Sequence, residues 1–171
     1  MEQTVPEVWL RGPINDVPTL LQPAAHALLQ ALEEIQTLMT DFPDRLLWEK
    51  RAALASPGFH LLHITGVLHR LCTYALAKPL SAEQLAYLKE ETIPHDCTTQ
   101  YLVQQVERQV QITIEQFKTT SEASLAEPRT VGRKALPSTV QGLLFHAAEH
   151  TMRHLGQLLV TVKVLQAARA V

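Results

Sequence analysis

The sequence is poor in aromatic residues and in cysteine. Only 5% of the 171 residues are Phe, Trp or Tyr, whereas 46% are hydrophobic, so the core must be built mainly from aliphatic side chains. This composition favours packed helices over a β-sandwich. The two cysteines, Cys72 and Cys97, do not have the spacing of metal ligands, and we expect them to be small buried residues without a disulfide.

The chain also lacks a basic stripe and a long apolar run. Its formal net charge is -2, and no cluster of Lys or Arg could neutralise a phosphate backbone, so nucleic acid is not an expected partner. No segment reaches the roughly 18 uninterrupted apolar residues that a membrane helix needs, and the acidic N-terminus has no secretory signal. We therefore expect a cytoplasmic protein with no membrane partner, folded as a single domain over residues 1–171.

Apolar positions that recur every three or four residues predict four long helices. These helices cover residues 19–42, 58–77, 98–120 and 138–168. A Ser-x-x-Gln capping box at Ser81 predicts a short extra helix, peripheral and ending near Glu91, and a second box at Ser138 opens the fourth long helix. Residues 121–137 have turn chemistry and predict a long crossover loop. The predicted fold is all-α: a four-helix bundle with a long crossover loop and a short extra helix.

Three histidines recur at four-residue spacing in the fourth predicted helix: His146, His150 and His154. In a helix, successive members stand about 40° apart in azimuth and roughly 6 Å apart along the axis, so they share one face. Two imidazoles one turn apart can bind one cation, because the backbone already fixes their separation. His-x-x-x-His pairs also arise by chance, and the alternative interpretation is that these are packed or surface histidines.

Two more histidines, His60 and His63, lie one turn apart in the second predicted helix. Helical bundles build metal sites from side chains on facing helices, and the second and fourth helices are the two that carry histidine clusters. His146 and His154 are about 12 Å apart along the axis, too far for one ion to reach both easily. No carboxylate of the second helix has an obvious position as a general base.

Two segments resemble the DinB-like superfamily of metal-binding four-helix bundles. Residues 58–64 read GFHLLHI, and residues 149–157 read EHTMRHLGQ; the family has a histidine near the start of helix 2 and a His-x-x-x-His pair followed by Gly-Gln in helix 4. The resemblance implies that His63, His150 and His154 bind a divalent metal. Zn²⁺ and Ni²⁺ are both compatible with imidazole ligands.

The remaining histidines and their neighbours then take supporting roles. His60 is expected in a substrate pocket or behind the ligands, and His146 either behind the ligands or in the core. Gly156 would let a neighbouring helix or a ligand approach, and Gln157 is a candidate residue of the substrate pocket. Glu149 and Arg153, which adjoin the ligands, are on azimuths about 100° away and are expected to face elsewhere.

The resemblance implies several functions for such a centre. A metal with an open coordination position can bind a low-molecular-weight thiol and lower its pKa, which is the chemistry of the family's thiol-dependent S-transferases and related isomerases. The same ion can activate water, as in a metal-dependent hydrolase. We expect a metal-dependent enzyme acting on a small molecule, such as a thiol S-transferase. The alternatives are a hydrolase and a non-catalytic bundle that binds metal or a ligand in stress response.

Apolar residues outside the main helical stripes predict self-association as a homodimer. They are Leu61, Ile64 and Leu68 on the second helix and Val160 and Val164 on the fourth. Two further segments, residues 9–13 and 131–133, are similar to one subgroup of the family. They include Trp9, Arg11 and Arg133, to which chemistry alone assigns no role.

Overall fold

A computed structural model describes residues 5–168, which fold into five α-helices and one small antiparallel sheet. The helices are α1 (Gln22–Leu38), α2 (Pro57–Ala75), α3 (Ala82–Glu90), α4 (Thr99–Thr119) and α5 (Val140–Ala167); the strands are β1 (Pro128–Val131) and β2 (Leu136–Thr139). The mostly helical class predicted from the sequence is confirmed. No helix in this part of the chain is long and apolar enough to cross a bilayer.

Local capping sets where the helices begin. Ser56 precedes α2, and its Oγ accepts a hydrogen bond from the Phe59 amide, while the first helical position is a proline that needs no donor partner. The predicted capping box at Ser81 is present in full. The box predicted at Ser138 is wrong: α5 is capped by the next residue, Thr139, whose Oγ1 accepts from the Gly142 amide at 3.0 Å without a reciprocal side-chain bond.

The four long helices pack in a closed ring, in which each has two long neighbours. α2 packs against α4 and α5, and α1 packs against the same two helices. One contiguous aliphatic core lies between them, and its completely buried members include Leu28, Leu61, Leu68, Val106, Leu144 and Leu158. The pairing of α2 with α5 brings the two histidine clusters to one side of this core.

The predicted crossover loop contains a β-hairpin that the sequence analysis missed. β1 and β2 pair antiparallel, with Pro128 opposite Thr139 and Val131 opposite Leu136. Each strand has only four residues and contains a proline, which cannot donate to the ladder, so the segment lacks an ordinary strand pattern. Arg129 fastens the hairpin to the bundle, because its Nε donates to the carbonyl of Ala75 at the end of α2.

Packing overturns the sequence argument for a homodimer on α2. Leu61, Ile64 and Leu68 are completely buried, because α2 is covered by two long helices and by α3. On α5, Val160 is 52% exposed and Val164 is partly buried. Self-association therefore stays a prediction, without the support of the three α2 residues.

Both cysteines are free thiols in the structure. Cys72 is buried, and burial raises the pKa of its thiol to about 11, so it is protonated at neutral pH. Its Sγ donates to Thr113 Oγ1 at 3.5 Å. The expectation of a small buried residue is confirmed for Cys72, whereas Cys97 is only partly buried.

Two glycines in the helices differ in the space around them. A Cβ at Gly58, in the first turn of α2, would lie 2.7 Å from the indole of Trp48. That indole is held in place, since its Nε1 donates to the carbonyl of His95 at 2.9 Å. A Cβ at Gly156, within α5, would meet no atom within 4 Å among the described residues, so the interpretation that Gly156 admits a neighbouring helix is wrong.

We expect Gly58→Ala to lower the free energy of unfolding by about 1–3 kcal/mol, because the added methyl group overlaps a fixed indole. Gly156→Ala is the matched control and should raise it by up to about 1 kcal/mol, since alanine is the better helix former and the site is open. Urea denaturation of the two variants and the wild type measures both effects. A Gly58→Ala protein as stable as the wild type would contradict the packing argument.

Candidate metal centre

α2 and α5 bring three histidines together. One ring nitrogen from each of His63, His150 and His154 lies within 4.8 Å of the other two. Nε2 of His63 is 3.0 Å from Nε2 of His150, and the rings of His63 and His154 have their centroids 4.5 Å apart. Two nitrogens bound tetrahedrally to one Zn²⁺ would be about 3.3 Å apart, close to the separation observed here. The structure thus groups the three histidines that the family resemblance implied.

The protonation of the cluster suits metal binding. Burial lowers the pKa of His154 to about 3 and that of His150 to about 4, and the neighbouring His63 lowers both further. Burial likewise lowers the pKa of His60 to about 4. These imidazoles are therefore neutral at pH 7, and the neutral form is the one that offers a lone pair to a cation.

A carboxylate that the sequence analysis missed contacts the cluster. Glu91 follows the last residue of α3, and its Oε2 accepts a hydrogen bond from Nδ1 of His63 at 2.6 Å. Its Oε1 accepts from Nη1 of Arg70 at 2.5 Å. Glu91 is only 2% exposed, so the short helix predicted to be peripheral delivers a buried acid to the histidines. Nothing in the local sequence distinguishes it from the exposed Glu90 beside it.

A glycine on α2 provides the space for this carboxylate. A Cβ at Gly66 would lie 2.1 Å from Oε1 of Glu91 and 2.6 Å from Nη1 of Arg70. Glycine generally weakens a helix interior. Its presence at position 66 indicates that the close approach of Glu91 and Arg70 to the α2 backbone matters more than helix propensity. Tyr87 holds α3 against α2, since its hydroxyl donates to the carbonyl of Leu62 at 3.2 Å.

His60 lies behind the cluster. It is 2% exposed, and its Nδ1 is 3.0 Å from Nδ1 of His154, so one ring donates a hydrogen bond and the other accepts it. Nε2 of His60 is buried without a hydrogen-bond partner. Of the two positions expected for His60, this one agrees with a residue behind the ligands. A role for His60 in a substrate pocket stays a prediction.

His146 lies at the solvent-exposed end of the histidine series. It is exposed, so the interpretation of His146 as a core residue is wrong, and its Nδ1 is 3.2 Å from Oε2 of Glu149. His146, Glu149 and His150 form a second group whose ligand atoms lie within 4.8 Å. Glu149 is also paired with Arg153 along α5, and that ion pair lowers the pKa of Glu149. The ion pair lies at the surface, but Glu149, which was expected to face away from the ligands, has a carboxylate oxygen within 4.8 Å of a ring nitrogen of His150.

The other residues singled out in the sequence lie elsewhere. Gln157 is exposed on α5, and its role in a substrate pocket stays a prediction. The indole of Trp9 donates to Glu7 on an exposed segment. Arg11 makes two hydrogen bonds to Glu33, at 2.6 and 2.7 Å, which join the N-terminal segment to α1. Arg133 is exposed in the turn between β1 and β2.

Comparison with known proteins identifies the family of this architecture. A model described as the DinB superfamily matches residues 20–158. A conserved protein from Enterococcus faecalis has a similar structure, with a TM-score of 0.68, 17% identity and coverage of 86% of this chain and 97% of that one. A protein from Streptococcus pneumoniae gives a TM-score of 0.65, 13% identity and coverage of 88% and 93%. No curated protein matches the chain significantly.

The metal-free protein should lose stability as the pH falls from about 6.5 to 4. The pKa values of His60, His150 and His154 are lower in the fold than the ordinary 6.5, so the unfolded chain binds protons in this window that the folded chain does not. At pH 5 the buried imidazoles of His60 and His154 should each lower the free energy of unfolding by about 2 kcal/mol, and the half-buried His150 by less. Urea denaturation in the presence of a chelator, at pH 7 and pH 5, measures the loss.

A histidine variant separates the contribution of one buried imidazole to this pH dependence from the contributions of other titrating groups. His60→Gln removes one buried imidazole and should reduce the difference between the two pH values, with His146→Gln on the exposed face of α5 as the control for the substitution itself. If His60→Gln and His146→Gln lose the same stability between pH 7 and pH 5, burial does not keep His60 neutral.

Proposed function

The chain belongs to the DinB superfamily, and we propose that its four long helices form a four-helix bundle that holds a divalent metal ion on His63, His150 and His154. The observation that carries this proposal is the convergence of three imidazoles from two facing helices, with ligand atoms within 4.8 Å of one another. Bundle proteins commonly build metal sites in this way, from inward side chains of neighbouring helices.

The tautomers of the histidines suit a shared cation. Because Nδ1 of His63 donates to Glu91, the lone pair of His63 is on Nε2, which faces Nε2 of His150. Nδ1 of His154 is engaged by His60, which leaves Nε2 of His154 for the ion. The set is nitrogen-only, which suits Zn²⁺ or Ni²⁺ better than Mg²⁺ or Ca²⁺.

Three protein ligands leave at least one coordination position for a small molecule, as in catalytic rather than structural metal sites. When bound, the ion would lower the pKa of a thiol or water at that position. The carboxylate that contacts the cluster does not serve as a free base, because both oxygens of Glu91 are engaged, by His63 and Arg70. A thiol needs less help from a base than water does, since the pKa of a thiol is about 8.5 and that of bulk water about 15.7.

We therefore propose a metal-dependent enzyme that transfers a small thiol to an electrophilic substrate. In this mechanism the three histidines would hold the ion, and burial between α2 and α5 keeps the imidazoles of His150 and His154 neutral. His60 would orient His154 from behind, through the hydrogen bond between their Nδ1 atoms. The thiol would bind at the position that the protein leaves open, beside the electrophile.

Metal content tests the centre itself. We expect His63→Ala, His150→Ala and His154→Ala each to lose the bound ion, because two imidazoles hold a divalent cation much less tightly than three. His69→Ala on α2 is the matched control, because His69 is exposed and belongs to neither group of possible ligands. Elemental analysis after dialysis against Zn²⁺ or Ni²⁺ gives the occupancy. Full occupancy in His150→Ala and His154→Ala would contradict the proposal.

Thiol binding tests the reaction class. In the Co²⁺-loaded protein, titration with 2-mercaptoethanol should produce a thiolate-to-metal charge-transfer band. The apparent affinity should be up to about tenfold higher at pH 7.5 than at pH 6.5, because the thiol loses a proton on binding. Ethanol, which has no thiol, is the control ligand and should give no band.

Activity completes the test of the transferase. Turnover of 2-mercaptoethanol with a model electrophile should require the metal and stop after chelation. If no charge-transfer band appears while Co²⁺ stays bound, the transferase is excluded. A coordinated water would then favour a hydrolase, and a fourth protein ligand, such as His60, would favour a binding or sensing protein.

A further inference from the structure

The carboxylate of Glu91 joins two side chains of α2. One oxygen accepts from Nδ1 of His63 at 2.6 Å and the other from Nη1 of Arg70 at 2.5 Å. All three side chains are largely withdrawn from solvent, with exposed side-chain fractions of 20% for His63, 10% for Arg70 and 3% for Glu91. A negative charge is thus held at the rear of one imidazole of the cluster.

We propose that Glu91 is a positioning residue of the metal centre, which orients His63 and strengthens it as a ligand. This inference rests on the proposed metal binding by His63, His150 and His154. A carboxylate that accepts from Nδ1 fixes the tautomer with the lone pair on Nε2, and it makes the imidazole more basic. The distance of 2.6 Å is short, as expected where the acceptor is a carboxylate.

The ring of His63 is held on a second side as well. Phe59 stacks on it, with the centroids 5.2 Å apart and the planes inclined by 16°. Stacking limits the tilt of the ring but leaves it free to flip, because both faces of a flipped imidazole offer the same contact. The bond to Glu91 fixes Nδ1 on the side of α3, which leaves Nε2 directed towards His150.

The short helix α3 is fastened to α2 in a way that delivers Glu91. Near its start, Nε2 of Gln84 donates to Thr73 Oγ1 at 2.7 Å, and further along Tyr87 donates to the carbonyl of Leu62. At the end of α3, the carboxylate of Glu91 fills the space that Gly66 of α2 leaves open. The helix thus connects to α2 along its whole length, and its terminal acid reaches the ligand.

A purely structural role for Glu91 makes a different prediction. If Glu91 only fastened α3 to α2 through Arg70, its loss would lower stability without changing the metal affinity of the folded protein. A positioning role requires the affinity itself to change, because outer partners of metal-ligating histidines typically contribute 10–100-fold to binding. Metal affinity therefore separates the two roles.

The test uses Glu91→Gln, with Glu90→Gln as the matched control, since Glu90 is exposed and the change in charge is the same. We expect the Kd for Zn²⁺, measured by competition with a chelating dye at pH 7.5, to rise about 10–100-fold in Glu91→Gln and to stay unchanged in Glu90→Gln. The Co²⁺ absorption spectrum of Glu91→Gln should also shift, because the orientation of one ligand changes.

Arg129→Gln provides the structural control. It removes the hydrogen bond between the hairpin and the carbonyl of Ala75 without altering α3 or Glu91, so it should lower the thermal midpoint of the metal-free protein and leave the Kd unchanged. If Glu91→Gln does not fold, Glu91→Asp carries the test: it keeps the charge but is one methylene too short to hold both partners, and its Kd should also rise.

The outcomes are distinct. A Kd for Glu91→Gln, or for Glu91→Asp in its place, equal to that of Glu90→Gln would overturn the positioning role and leave the metal centre standing. An unchanged Co²⁺ spectrum would have the same meaning. Failure of the wild-type protein and of Glu90→Gln to bind either ion would instead overturn the proposed function, and this inference with it.

Discussion

The packing of α2 against α5 is the contact on which the candidate site depends. His63 and His150 are 87 residues apart in the chain, and only this contact brings their rings within hydrogen-bond distance. It also buries His154 and part of His150, and burial is the principal cause of their low pKa values. The same packing that stabilises the bundle therefore leaves these two imidazoles neutral and close to His63, an arrangement that favours a cation between the three rings.

Glu91, at the end of α3, is a carboxylate buried beside the histidines, and its charge is compensated by two side chains of α2. A buried carboxylate is costly unless it is paired and fully hydrogen-bonded, and Glu91 meets both conditions through Arg70 and His63. An ion pair in the interior is weak evidence for stability, because well-packed apolar residues often serve a fold as well. The hydrogen bond from His63 to Glu91 accounts for this ion pair better than stability does, and it also accounts for the packing of α3 against α2.

Local sequence signals predicted the helices well, because helix period and capping depend on neighbouring residues. The limits of α2 and α4 and the box at Ser81 followed from this chemistry. The hairpin in the predicted crossover loop was not predicted, because its strands are short and each contains a proline. The outward position assigned to Leu61, Ile64 and Leu68 was wrong, because a helix with neighbours on several sides is apolar well beyond one stripe.

Spacing along a helix is set by the backbone itself, so the sequence alone determined that His150 and His154 share a face and could bind one ion. It did not separate His63 from His60, which required the family resemblance, and it did not find Glu91. The tertiary structure decided both points: it places His63 against His150, His60 behind His154, and Glu91, rather than Glu90, against His63. The physical reason is that distances between helices depend on the packing of side chains far apart in the chain, which no local pattern records.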